Sequence, residues 1–188
     1  MTCYRSLFFT NIRFTKMLKI AILGPESTGK TMLAKQLADH FRAPWVPEYA
    51  REYVEKLSSP YNYEDICTIA RKQIEQEKAV ESLGSKELFV FFDTELIITK
   101  VWFSYRFGQV PEFVTKQLNT GFFDLYLLCM PDLPWEPDPV REHGDDRDFF
   151  FNWYKKEIEQ TAKPYVIVSG IGNQRFQNAL NGLNTLQG

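Results

Sequence analysis

The stretch Leu18–Leu33, LKIAILGPESTGKTML, decides the fold. An apolar run from Ile20 to Leu23 stops at Gly24. Gly29, Lys30 and Thr31 follow, and Leu33, Ala34 and Leu37 then recur at helical spacing. The pattern is G-x-x-x-x-G-K-[ST] between a strand and a helix, the setting in which it forms a phosphate-binding loop. Its glycines let the backbone curl so that successive N–H groups face an anion, and the positive end of the helix dipole adds to that field. Gly24, Pro25, Glu26, Ser27, Thr28, Gly29, Lys30, Thr31 and Met32 are therefore candidates for nucleotide contact. Lys30 can reach the β- and γ-phosphates and Thr31 can ligate a metal ion, so ATP and Mg²⁺ are the expected cofactors. Composition alone would produce the pattern in roughly one chain in a hundred of this length. The flanking strand and helix make a chance match rarer still.

Outward from this loop, the chain has 188 residues, enough for one domain with a sizeable core. Hydrophobic content of 44 % and charged content of 24 % are ordinary for a globular protein. A net charge of −2 supplies no basic field to recruit nucleic acid, so no nucleic-acid partner is expected. Cys3, Cys67 and Cys129 are few and far apart, without zinc spacing or a disulfide framework, which fits reduced thiols in a cytoplasmic protein. No apolar run approaches the roughly 18 residues of a membrane helix, so no membrane partner is expected either.

Strands and helices alternate along the rest of the chain. A helix is expected over 31–41, and extended chain over 43–46 between Pro44 and Pro47. A loop-to-helix segment should cover 48–54, and a long amphipathic helix should run over 62–83 with Ile66, Ile69, Ala70 and Ile74 inward and Gly84 as its stop. Buried strands are expected at 88–92, 125–129 and 165–168, and helices after Asp93 to about Phe107 and over 111–118, 149–161 and 176–186. The segment 131–147 reads as a loop with four prolines and many charges. This order predicts an α/β three-layer sandwich around the phosphate-binding loop: a mostly parallel central sheet, helices on both faces, and a lid loop.

Ligands in such sheets sit beyond the carboxyl ends of the strands, and three polar groups fall there. Asp93 ends a strand beside the loop and can hold Mg²⁺ or orient an acceptor; its bland alternative is a helix N-cap. Glu48, Arg51 and Glu52 follow the second strand. A carboxylate at 48 could position or deprotonate an acceptor hydroxyl and a guanidinium at 51 could hold the transferred phosphate, against the alternative of a surface ion pair. Arg141, Asp145, Asp146 and Arg147 suit a lid that closes over the donor phosphates, or simply a solvated loop. Tyr49, Tyr53 and Trp102 join Glu48, Arg51 and Asp93 as candidate acceptor contacts, and one of Trp45, Tyr53, Trp102 and Tyr105 is expected to stack on a flat base. His40 and His143 read as surface residues.

Four segments taken together, GPESTGKT (24–31), PEYAREYV (47–54), FFDTELIIT (91–99) and DPVREHGDDR (138–147), resemble the ribosylnicotinamide kinase domain of the bifunctional NadR proteins. The resemblance implies ATP-dependent phosphorylation of the 5′-hydroxyl of nicotinamide riboside to nicotinamide mononucleotide, a step of NAD salvage. It would make Lys30, Glu48, Asp93, Arg141 and Arg147 catalytic, and Thr31 and Asp93 the metal ligands. Two features depart from the family. No H-x-G-H signature is present, so adenylyl transfer is not expected, and Pro47 stands where family members carry Trp before the Glu-Tyr pair.

Another nucleoside or nucleotide kinase, or an ATPase switch module without an acceptor, are the alternatives. A GTPase would need an N-K-x-D selector, which is lacking, and a glycine three residues after Asp93, where Leu96 stands. A motor ATPase would end the strand in adjacent Asp-Glu, and Thr94 intervenes. Met17 is expected to start the folded unit, with 1–16 an upstream extension and 17–188 a single domain. Deleting residues 1–16 should leave the thermal unfolding midpoint unchanged in a calorimetric scan.

Overall fold

The computed structural model describes residues 16–82, 87–138, 141 and 144–184. Five strands are ordered β2-β3-β1-β4-β5, and every neighbouring pair is parallel. In chain order they are β1 Leu18–Leu23, β2 Trp45–Val46, β3 Phe89–Asp93, β4 Leu125–Cys129 and β5 Tyr165–Val168. The helices are α1 Lys30–Phe41, α2 Tyr49–Val54, α3 Tyr63–Ser82, α4 Leu96–Phe107, α5 Glu112–Leu118, α6 Arg147–Gln160 and α7 Asn173–Asn184. The expected sandwich is therefore present, with a sheet that is parallel throughout. Among the described residues, no helix is long and apolar enough to cross a membrane.

The apolar runs explain the layering. Alternate residues of one strand face opposite sides of the sheet, so Ile20, Ile22, Phe89 and Phe91 pack with Leu33 and Leu37 of α1 and Ala179 and Leu183 of α7. Ala21, Leu23, Val90 and Phe92 pack on the other side with Ile97 and Val101 of α4 and Phe150, Tyr154 and Ile158 of α6. A third cluster, Ile66, Ala70, Leu96, Phe103 and Val114, joins α3, α4 and α5. With β3 on one side of β1 and β4 on the other, the loop after β1 opens at the point where the strand order reverses, the usual ligand crevice of such sheets.

Element ends differ from expectation in instructive ways. α3 starts at Tyr63 because Asn62 Oδ1 accepts from the N–H groups of Glu64 and Asp65, at 2.8 and 3.2 Å. α6 begins at Arg147 and not at Phe149, which moves Arg147 out of the loop and into a helix. α7 begins at Asn173, directly after Gly170 and Gly172 turn with positive φ, and so includes Arg175. The expected extension to residue 15, the Gly84 helix stop, His143 and the C-terminal helix end at 186 lie outside the described residues.

The buried stripe of α3 does not stop at Ala70. Gln73, Glu77 and Val80 continue it, so two polar side chains occupy core positions. Gln73 Oε1 accepts from the Thr99 hydroxyl at 2.7 Å, and Glu77 Oε2 accepts from the Gln117 amide at 2.7 Å. Burial raises the Glu77 carboxyl to about 7 from its ordinary 4.5; Gln117 and Lys19 pull it down, while Glu81 pushes it up. The folded chain thus holds a proton that the unfolded chain releases near pH 4.5. Stability should fall as pH rises from about 4.5 to about 7 and level off above, a loss of at most about 3 kcal/mol. Glu77→Gln keeps an acceptor for Gln117 and should raise the unfolding midpoint at pH 8 and flatten this slope, as read by urea denaturation across pH.

Candidate active site

The loop after β1 is shaped by three residues at positive φ: Gly24 at 151°, Ser27 at 54° and Gly29 at 73°. At Gly24 a Cβ would sit 2.8 Å from the Cys129 carbonyl oxygen of β4 and 2.8 Å from the Thr28 hydroxyl. A side chain there would push the loop off the sheet. Thr28 donates its hydroxyl proton to the Pro25 carbonyl at 2.8 Å, closing the turn from inside. Gly29 is the N-cap of α1 and offers no side chain to its first N–H groups, and the first turn carries no acid. Those N–H groups and the helix dipole are thus directed at an anion. The Lys30 ammonium donates to the Pro25 carbonyl at 2.8 Å, across the mouth of the loop.

Asp93 ends β3 level with Ile22 of β1 and is 2 % exposed. Among the described residues, neither of its carboxylate oxygens has a hydrogen-bond partner. Burial raises its pKa, while the neighbouring Thr31 hydroxyl, Lys30 and Lys35 oppose that shift. A buried carboxylate with free lone pairs beside a threonine hydroxyl fits the oxygen donor set of Mg²⁺. The helix N-cap weighed for Asp93 belongs instead to Glu95, which accepts from the Ile97 N–H at 2.9 Å.

β2 is two residues long, so the chain leaves the sheet after Val46 and α2 starts at Tyr49 with Glu48 as its N-cap. The Glu48 carboxyl is raised, first by burial; Lys30 and Arg51 draw it down, while Asp93 and Glu26 push it up. Glu48, Lys30, Asp93, Arg51 and Glu26 therefore share one electrostatic neighbourhood. Arg51 is also tied outward, with Nε 2.9 Å from Glu55 and an Nη 2.5 Å from Asp138.

A cavity of about 530 Å³ opens from the loop. That is within the range of small-molecule sites. Gly24, Glu26 to Met32, Glu48 and Arg51 form one end. Tyr61, Trp102, Tyr105, Phe150 and Tyr154 form an aromatic wall, with Trp102 edge-on to Tyr61 at 4.8 Å and Tyr105 edge-on to Phe150 at 5.1 Å. Leu133, Pro134, Glu136 and Arg141 close it from the segment between β4 and α6. That segment is seated on the phosphate loop: the Glu136 N–H donates to Ser27 Oγ at 3.1 Å, and Arg141 donates to the Glu136 carbonyl at 2.6 Å.

Not every expected residue lines this cavity. Tyr53 turns away to donate to Asp65 of α3 at 2.9 Å, and Tyr49 packs against the Tyr53 ring at 5.9 Å. Trp45 lies against the core face of α1, with Lys35 over its ring at 4.8 Å. Arg147, in the first turn of α6, donates to the Leu133 carbonyl at 2.8 Å and so braces the base of the segment. Conversely, Ile98, Trp102 and Tyr105 share a face of α4 at i, i+4 and i+7, and Phe150 and Tyr154 share one of α6 at i and i+4. This is a helical spacing that core packing also produces, so it did not mark them as a wall.

Fold and site together define a P-loop domain of the kinase fold. A family model described as an AAA domain matches residues 19–175, and the chain belongs to that family. The trifunctional NAD biosynthesis/regulator protein NadR of Escherichia coli is 29 % identical over 157 residues, covering 79 % of this chain and 37 % of that protein. Its Salmonella typhimurium counterpart is 28 % identical over 155 residues with the same coverage. A crystal structure of a NadR protein in complex with NR superposes with a TM-score of 0.71 at 24 % identity, over 90 % of this chain and 51 % of that one. Thymidylate kinase from Ehrlichia chaffeensis gives 0.63 at 15 % identity, over 91 % and 99 %. The chain thus spans well under half the length of the curated relatives it matches. The likeness to NadR-type proteins read from four short motifs extends over most of the domain.

Gly24→Ala should lower stability by about 1–3 kcal/mol, because the contact it makes is with backbone and cannot rotate away. It should also abolish ATP binding measured by titration calorimetry.

Proposed function

We propose that the protein is an ATP-dependent small-molecule kinase whose best single acceptor is nicotinamide riboside, yielding nicotinamide mononucleotide. One observation carries this reading: Glu48 and Arg51 line the same cavity as the phosphate-binding loop and an aromatic wall, so a single cavity offers both a donor end and an acceptor end. Support also comes from the NadR relatives and from the NadR structure with NR. A pyridinium ring is flat and cationic, and Trp102, Tyr61 and Tyr105 offer π faces that attract such a ring.

The loop N–H groups and Lys30 would hold the β- and γ-phosphates. Thr31 and Asp93 would hold Mg²⁺, which offsets phosphate charge when bound. Glu48 would accept the proton of the acceptor hydroxyl as its oxygen bonds to the γ-phosphorus and the bond to the leaving ADP oxygen breaks. Its burial suits the role, since a carboxyl raised toward neutral pH is a stronger base. Arg51 would bind the transferred phosphoryl group, exchanging Asp138 for it, and Arg141 would neutralise charge from the segment above. A cytoplasmic setting, where ATP is available, belongs to the same reading.

A motor or switch ATPase is the weaker reading, despite the family's description. The acid nearest Asp93 in the chain, Glu95, is buried on the opposite side of the sheet among Phe122, Phe123 and Tyr126, away from the nucleotide loop.

ADP release from Mg-ATP should rise above the acceptor-free rate with nicotinamide riboside more than with other nucleosides; no rise with it would end this reading. Glu48→Gln should lower kcat by about 10²–10⁴-fold with ATP affinity kept. In the wild type, kcat should fall as pH drops through a pKa above the ordinary carboxylate value, and this limb should vanish in Glu48→Gln.

A further inference from the structure

The turn after β3 separates two acids that stand two residues apart. In a continuing strand, residues 93 and 95 would point to the same face. Here Asp93 stays on the α1 side near Thr31, and Glu95 lies on the other side, around a small cavity with Glu77, Gln117 and Tyr126. The alternation breaks at Thr94, whose φ is +68°. A residue branched at Cβ is strained in that left-handed region. Such strain persists only where the surroundings over-determine it, and it gathers at functional sites.

Thr94 is held from both ends. Its N–H donates to the Ile22 carbonyl of β1 at 3.1 Å. On the other side the Glu95 carboxylate accepts from the Ile97 N–H at 2.9 Å, and the Glu95 carbonyl accepts from the Ile98 N–H at 3.2 Å. Glu95 is 2 % exposed, and its second carboxylate oxygen has no hydrogen-bond partner among the described residues. An apolar or amide side chain would be easier to bury there. By accepting from the first turn of α4, the Glu95 side chain anchors that end of the strained turn.

We infer that Glu95 is a positioning residue for the metal ion of the bound nucleotide: by capping α4 it locks Thr94 in the left-handed turn that keeps the Asp93 carboxylate beside Thr31. This rests on the reading of Mg-ATP as the donor. The buried Asp93 carboxylate, without a hydrogen-bond partner among the described residues, fits an ion at that place.

The test compares ATP affinity in Mg²⁺ and in EDTA by titration calorimetry, on the full chain, with Asp93→Asn as reference. Glu95→Ala should lose at least fivefold of the Mg²⁺-dependent gain in affinity, as the reference does, while affinity in EDTA stays within twofold of wild type. Glu95→Gln, whose amide oxygen can still accept from Ile97, should keep the gain. Thr94→Gly takes up the left-handed turn without strain, so it should keep the gain with a Tm equal to or above that of wild type, and added to Glu95→Ala it should restore most of the lost gain. A merely structural role for Glu95 does not produce that rescue. If Glu95→Ala does not fold, Glu95→Leu, which fills the buried site without an acceptor, takes its place. A full Mg²⁺ gain in Glu95→Ala or Glu95→Leu, equal losses in Mg²⁺ and EDTA, or no rescue by Thr94→Gly would overturn the inference. These readouts need no acceptor, so a wild type that phosphorylates no nucleoside yet shows this pattern ends the kinase reading and leaves the positioning role standing.

Discussion

Everything in the site depends on how closely the backbone at Gly24 approaches the Cys129 carbonyl. The absence of a side chain at one residue lets the loop fold down against β4 and start α1 at Lys30. Had the loop stood a few ångströms higher, Lys30 would not span to the Pro25 carbonyl and Thr31 would not lie beside Asp93. The interlock works because β1 is flanked by β3 and β4 and buried on both faces. Core packing thus sets the distances on which phosphate chemistry relies.

A second theme is that the surroundings of four acids favour their neutral form. Asp93 and Glu48, at the strand ends, and Glu77 and Glu95, under α3 and α4, are all raised by burial. The first two face cations, Lys30 above all, and so have a charge to answer. The second two have an amide and backbone N–H groups instead. Their environments separate the pairs: one set lies beside the cations at the phosphate loop, the other is enclosed under the helices.

The phosphate loop, the three long strands and the flanking helices were legible in the sequence because each rests on a local pattern. Gly24 to Thr31 is contiguous, and FVFFD and LYLLC are uninterrupted apolar runs. The aromatic wall was only partly legible. Trp102 and Tyr105 came from proximity to a strand end. Phe150 and Tyr154, however, reach the cavity through the packing of α6 on α4, and Tyr61 lies against Trp102 from the chain before α3, which no local spacing encodes. Trp45 was misplaced for a related reason: in a two-residue strand, one step of register decides the face, and that register is set by Phe91 next door. Arg147 moved although Asp145 and Asp146 are both cap-type residues, because that start reads as part of the charged loop; Asp146 occupies the N-cap without a side-chain hydrogen bond. The strain at Thr94 had no signal at all, since threonine is an unexpected residue for a left-handed turn.

The brevity of β2 has a reach beyond the site. It forms one border of the sheet, where an open row of N–H and C=O groups would invite a strand from another molecule. Among the described residues only Trp45 and Val46 occupy that border, with Pro44 before them and Pro47 after, neither able to donate. An approaching chain finds almost nothing to zip onto. The same abrupt exit that delivers Glu48 to the cavity therefore protects this border of the sheet against edge-to-edge aggregation.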